Sequence, residues 1–189
     1  VKIGILALQG DVREHSSALE AAGATPVTVK TQEQLSSVDA LVLPGGESTT
    51  IGKLLDRFGL MEPVRRCARE GMPVFGTCAG LILMAEAVVG REGAPDRLGI
   101  LDVTVRRNAF GRQVDSFETD LEVRGLKTPI RAAFIRAPRI EEVGLEVEVL
   151  ATLDDEPVLV RQGHLLGSTF HPEITGEDRV HRMFVEMVG

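Results

Sequence analysis

Tryptophan and tyrosine are absent from this 189-residue chain, and the only aromatics beyond its histidines are seven phenylalanines. Base-stacking surfaces are therefore scarce. The net charge is −7, with no basic stripe, which disfavours nucleic acid as a partner. Cysteine is nearly absent as well. Cys67 and Cys78 are the only two, which excludes a secreted disulfide framework and favours a reduced compartment. Long apolar runs are missing: Ile3 to Leu8 and Leu81 to Ala85 are far too short to cross a bilayer. No basic region precedes an apolar core near Val1, so a cytoplasmic protein is the expectation. The length suits one domain, residues 1–189, with a substantial core.

The chain does have short apolar strands alternating with helical patterns. Lys2 to Leu8 is almost continuously apolar, as in a parallel strand covered on both faces. Asp11 with Glu14 has the form of a capping box, and the helical spacing that follows stops at Gly23. Strands are expected at Pro26–Val29 and Ala40–Leu43 with a polar link between them, then helices at Thr49–Arg57 and Met61–Glu70. Past Gly90 come shorter strands at Leu101–Arg107, Phe117–Val123, Ile130–Ile135 and Val147–Leu153. A hairpin from Pro157 to Phe170 and a helix from Glu177 to Val188 complete the reading. The fold class is α/β, with a mostly parallel sheet and a smaller, partly antiparallel section.

The centre of this organisation is Pro73 to Ala85, a buried strand that turns abruptly into a helix fading at Val88-Val89-Gly90. Gly76-Thr77-Cys78-Ala79-Gly80 at the corner has the form of a nucleophile elbow: the nucleophile sits on a strained turn, and flanking glycines let strand and helix approach. Cys78 is the candidate nucleophile. The Ala79 amide, at the helix start, is a candidate oxyanion donor. A small buried cysteine is the structural alternative.

Two other loops could complete such a site. Pro44-Gly45-Gly46-Glu47-Ser48-Thr49 follows an apolar strand, and Gly46 is placed to offer a second oxyanion amide; an ordinary turn would explain the same letters. In His171-Pro172-Glu173, proline biases the preceding residue toward extended backbone, so imidazole and carboxylate project to one side. A Cys-His-carboxylate triad requires that arrangement. No second histidine or cysteine stands at zinc-ligand spacing, so no metal is expected. Arg107 and the Phe134-Ile135-Arg136 strand end are ambiguous between loop structure and carboxylate recognition. Of the other histidines, His15 and His181 read as exposed helix positions and His164 as a turn residue; Cys67 reads as core.

The elbow together with His171-Pro172-Glu173 resembles the class I (triad) glutamine amidotransferases. Leu8-Gln9-Gly10-Asp11-Val12-Arg13-Glu14-His15, the 44–49 loop, Arg107-Asn108-Ala109-Phe110-Gly111-Arg112-Gln113 and Phe134-Ile135-Arg136-Ala137-Pro138 narrow the likeness. In this order, over essentially the whole chain, they are similar to the glutaminase subunits of pyridoxal 5'-phosphate synthase, the PdxT family. The resemblance implies a three-layer α/β sandwich with its site at the carboxyl ends of the strands. It implies a thioester mechanism that hydrolyses L-glutamine, with Cys78, His171 and Glu173 as triad and Gly46 and Ala79 as oxyanion hole. Gly46, Glu47, Ser48, Arg107, Ile135 and Arg136 would hold the amino-acid end of glutamine. A barrel-shaped synthase subunit would receive the ammonia in a hetero-oligomer and switch the glutaminase on; no cofactor is implied. Glutaminase subunits of imidazole glycerol phosphate synthase share the triad, but the blocks at 8–15 and 107–118 argue against that assignment. A cysteine protease or a non-catalytic module with this fold are the other readings.

Overall fold

The computed structural model describes residues 1–90, 94–107 and 116–189. Its first half runs β1 (Lys2–Leu6), α1 (Val12–Ala21), β2 (Thr25–Val29), α2 (Gln32–Ser36), β3 (Ala40–Leu43), α3 (Ser48–Arg57), α4 (Met61–Arg69), β4 (Val74–Thr77) and α5 (Ala79–Met84). Then follow β5 (Ala85–Val89), β6 (Leu101–Arg106), β7 (Phe117–Leu121), β8 (Ile130–Phe134), β9 (Arg139–Val143), β10 (Glu148–Leu153), β11 (Glu156–Gln162), β12 (Leu165–Ser168) and α6 (Arg179–Val188).

Seven strands form the main sheet in the order β10-β11-β12-β4-β3-β1-β2. From β12 to β2 every pairing is parallel, and β11 and β10 add an antiparallel edge. Two small sheets stand beside it, β5-β6-β9 and the antiparallel pair β7-β8. Alternation along each strand explains the layers. In β3, Ala40 and Val42 join one core while Leu41 and Leu43 join the other. The first core also receives Leu19 of α1 with Val180 and Phe184 of α6; the second receives Ile51 and Leu55 of α3 and Val64 and Ala68 of α4. Both sheet faces are thus covered, which is why these strands read as unbroken apolar runs. Among the described residues, no helix is long and apolar enough to cross a membrane.

Several local expectations are corrected. Asp11 does stand at the α1 N-cap, but its side chain makes no cap hydrogen bond, because its carboxylate is drawn toward His171 instead. A true capping box occurs at Thr31 and Gln34, opening a short helix inside the segment read as a polar link. The helix after Cys78 ends at Met84. Ala85 turns extended, and Val88 and Val89, β-branched and suited to a pleat, pair with Val105 and Arg106. β9 was hidden by its charges: Arg139, Glu141 and Glu142 alternate with or flank the single buried Ile140. His15 and His181 are fully buried rather than exposed, since α1 and α6 turn these positions, with Leu19 and Phe184, onto the same sheet face. His164 lies in the turn before β12, its Nε2 2.6 Å from the Ala68 carbonyl, and Cys67 packs against the core. The loop read at 108–115, and Gly93 in the preceding one, lie outside the described residues.

Candidate active site

Cys78 occupies the corner where β4 must become α5 within one residue. Its φ of 50° and ψ of −103° are rarely adopted by L residues, a strain of about 1–3 kcal/mol. The flanking glycines make the corner possible. A Cβ on Gly76 would stand 2.6 Å from the Gly80 carbonyl carbon, and one on Gly80 would overlap the Leu43 carbonyl oxygen. The Cys78 amide donates to the Ser168 carbonyl at 2.9 Å, tying the corner to β12. Its sulfur is buried, 3.9 Å from the Ile135 carbonyl oxygen.

Just beyond β12, the His171 amide donates to the Ala133 carbonyl at 2.8 Å, a single antiparallel bridge that fixes the backbone beneath the ring. His171 Nδ1 lies 2.7 Å from Glu173 Oε1, so residues 171 and 173 do project to one side. Nδ1 is also 3.3 Å from Asp11 Oδ2. With Nδ1 so engaged, Nε2 is the nitrogen left to face the Cys78 thiol.

Burial alone would lower the His171 pKa, but hydrogen bonds to Asp11, Cys78 and Glu173 outweigh it and raise the value to about 12. For Glu173 burial prevails over the bond to His171, and its carboxyl is pushed above the ordinary range. Between the two, the direction that stands is that of the imidazole: the Glu173 and Asp11 carboxylates at Nδ1 favour a proton on the ring. Asp11, His171 and Glu173 also each offer one atom within 4.8 Å of the others, a spacing a cation could use, though His171 and Glu173 spend theirs on each other.

A cavity of about 410 Å³ opens over the thiol. Gly46, Glu47 and Ser48 line it from the loop after β3, and Ala79 lines it beside Cys78. Arg107, Ile135 and Arg136 close the far side. Every expected site residue thus converges here except Glu173, which stands behind His171 and reaches the cavity through it. Asp11 lines the cavity too, and sequence reasoning missed it by spending the residue on a helix cap. A second groove of about 490 Å³ runs along residues 122–129 and 149–152 and is lined by neither cysteine nor histidine.

Glu47 caps α3, accepting from the amides of Thr49 at 3.1 Å and Thr50 at 2.7 Å. Desolvation pushes its carboxyl up, but the Thr50 hydroxyl and these amides, with Arg107, hold it below the usual value. The Arg107 side chain is buried, Nη2 3.0 Å from Thr49 Oγ1 and 3.6 Å from Glu47 Oε1. The loop between β1 and α1 clamps the same region: Gln9 Oε1 accepts from the Glu47 amide at 2.9 Å, and the Gly45 carbonyl accepts from the Asp11 amide at 3.1 Å.

A buried thiol on a strained corner, an imidazole against it and a carboxylate behind the imidazole form the arrangement that acyl transfer from an amide requires. Comparison with known proteins agrees. The pyridoxal 5'-phosphate synthase subunit PdxT of Frankia casuarinae is 61% identical over 190 residues, covering 99% of this chain and 94% of its own. The protein of that name from Halalkalibacterium halodurans is 57% identical, covering 100% and 95%. A crystal structure of a glutamine amidotransferase superposes with a TM-score of 0.93 at 53% identity, over 99% of this chain and 98% of that one. PurLQS from Thermotoga maritima, at 17% identity and a TM-score of 0.73, shares the fold. The profile of the SNO glutamine amidotransferase family matches residues 5–189, and to that family this chain belongs.

Proposed function

We propose that this chain is the glutaminase subunit of a pyridoxal 5'-phosphate synthase, a cytoplasmic enzyme that hydrolyses L-glutamine to L-glutamate and ammonia. The observation that carries the chemistry is the line from Cys78 through His171 to Glu173, its thiol at the floor of the cavity. Cys78 Sγ attacks the carboxamide carbon of glutamine with its proton already held on His171 Nε2, where the carboxylates at Nδ1 stabilise the ring's charge. The tetrahedral oxyanion is held by the amides of Gly46 and Ala79, donors on two different loops as the elbow geometry requires. His171 then delivers its proton to the leaving nitrogen, the C–N bond breaks and ammonia departs. A glutamyl thioester remains. Water, deprotonated by the same imidazole, attacks it, and collapse returns the thiol and releases glutamate. Glu173 holds the imidazole by Nδ1 and offsets its positive charge.

Substrate is oriented by its zwitterionic end. Arg107 and the Ser48 region supply donors for the carboxylate, Glu47 an acceptor for the ammonium, and the Gly46, Ile135 and Arg136 backbone the remaining wall. The ammonia passes to a separate synthase subunit, and the names of the relatives support that partnership. The test is glutamate release from free glutamine, with and without the cognate synthase and against a peptide library. Turnover of glutamine alone, increased by the synthase, is the expected result; peptide cleavage or inert glutamine overturns the reading.

A further inference from the structure

Behind the triad lies a second pair of imidazoles for which glutamine hydrolysis has no assigned use. His15, in the middle of α1, and His181, near the start of α6, are both fully buried. His15 Nδ1 meets His181 Nε2 at 2.8 Å. On its other side, His15 Nε2 lies 3.1 Å from Thr77 Oγ1 and 3.5 Å from Glu173 Oε1. One ring therefore touches both the residue preceding Cys78 and the carboxylate that holds His171. Phe75 keeps the pair dry, its ring 6.5 Å from that of His15 and 5.6 Å from that of His181.

Proton counting assigns the two tautomers. Burial, then the neighbouring His181 and His171, hold the His15 pKa well below its ordinary value; burial holds His181 at about 4 against the opposing charge of Asp178. Each neutral ring carries one N–H. Were His15 to donate from Nδ1, the His181 proton would lie on its own Nδ1, a buried atom with no hydrogen-bond partner among the described residues. His15 Nε2 would then turn a lone pair toward the Glu173 carboxylate. Both faults vanish in the opposite arrangement: His181 Nε2–H donates to His15 Nδ1, and His15 Nε2–H points at Thr77 Oγ1 and Glu173 Oε1. The orphan is then a lone pair rather than an N–H, the less costly of the two.

We infer that His15 is a positioning residue of the triad: its Nε2–H, fixed in direction by His181 behind it, bonds Thr77 Oγ1 at 3.1 Å, turns its positive edge toward Glu173 Oε1 at 3.5 Å, and so steadies the carboxylate while bracing the strand end that carries Cys78. Glu173 needs that contact. Its other oxygen, Oε2, is buried and has no hydrogen-bond partner among the described residues, so the side-chain anchoring seen there falls on Oε1. Without His15 the carboxylate would turn more freely and be easier to protonate, and its hold on the imidazolium would weaken. His15 does not line the cavity, so the effect belongs to kcat and not to KM.

The inference rests on the proposed glutaminase chemistry, and wild-type turnover with the synthase present is the control for that chemistry. In the same complex, His15→Gln places an amide nitrogen where Nε2 was, facing Glu173, whereas His15→Asn places one where Nδ1 was, facing His181. Expected is a kcat within about fivefold of wild type for H15Q and a loss of about tenfold or more for H15N, at unchanged KM, the size of one hydrogen bond in the rate-limiting step. Equal losses in the two variants, or losses that track their melting temperatures, overturn it. A second arm needs neither folding of a variant nor glutamine turnover: nitrogen NMR of histidine-labelled wild type should find His15 and His181 both protonated on Nε2. Nδ1–H on His15 overturns the inference.

Discussion

Asp11 Oδ2 stands 3.3 Å from His171 Nδ1, so the imidazole of this site faces two carboxylates, the other being Glu173 at 2.7 Å. Asp11 makes no cap bond to α1, so Asp11→Asn should leave the helix and the fold in place. Removing a carboxylate beside Nδ1 lowers the pKa that Asp11, Cys78 and Glu173 together raise to about 12. NMR titration of His171 in the variant should show that downward movement. A titration unchanged from wild type would remove Asp11 from the electrostatics of the site.

Cys78→Ala and Cys78→Gly should both abolish glutamine hydrolysis, since neither offers a nucleophile, yet they should differ in stability. Alanine inherits the strain of φ 50°, ψ −103°, and glycine adopts it freely. Set against the extra freedom of glycine in the unfolded chain, the relief leaves about 1 kcal/mol in favour of C78G. Melting curves should place C78G above C78A by about 2–4 °C. The reverse order would show that the corner is not strained.

The parts of the site legible in the sequence are those made by near neighbours in the chain. Gly76 to Gly80 spell their own turn, and Pro172 biases His171 and Glu173 to stand side by side, an arrangement the bridge to Ala133 then holds. The parallel strands are legible because burial on both faces leaves unbroken apolar runs such as Ala40 to Leu43. His15 and His181 are different: 166 residues apart, they meet because α1 and α6 lie on one sheet face. A signal existed in Leu19, four residues after His15, and in Phe184, three after His181, each marking the apolar stripe. Polar flanks on both helices masked it. Asp11 was misread for a related reason, since a carboxylate before a helix has a local use that hides a distant one.

His181 should erode stability on the acid side, alongside His15, whose pKa burial also holds down. The His181 pKa is held down from 6.5 to about 4 by burial, so the unfolded chain takes up this proton first as pH falls. The sign follows: stability is intact above the unfolded value and is lost as pH drops from 6.5 toward 4, by roughly 3 kcal/mol at most. His171 runs the other way, its contribution complete below 6.5 and lost as pH rises toward about 12. His181→Gln removes the first effect alone. Urea unfolding of both proteins at several pH values should show the stability gap between wild type and variant narrowing from pH 6.5 to 4. A constant gap would mean that His181 titrates normally in the folded protein.

Gly10→Ala should separate the oxyanion hole from the nucleophile. Gly10 has φ 108°, and a Cβ there would overlap the Gly45 carbonyl oxygen, which accepts from the Asp11 amide at 3.1 Å. That carbonyl belongs to the same peptide as the Gly46 amide. Displacing it must turn or shift the proposed donor, while Cys78, tied to Ser168 of β12, and His171, bridged to Ala133 of β8, are held by other elements. Loss of one oxyanion donor costs roughly 100- to 1000-fold in kcat. Alkylation of Cys78 by iodoacetamide develops no oxyanion and reports only the thiol and its imidazole, so its rate should be nearly unchanged. If glutamine turnover in G10A keeps pace with alkylation, the Gly46 amide takes no part in the reaction. If both rates fall together, the loop between β1 and α1 supports the nucleophile itself rather than the hole.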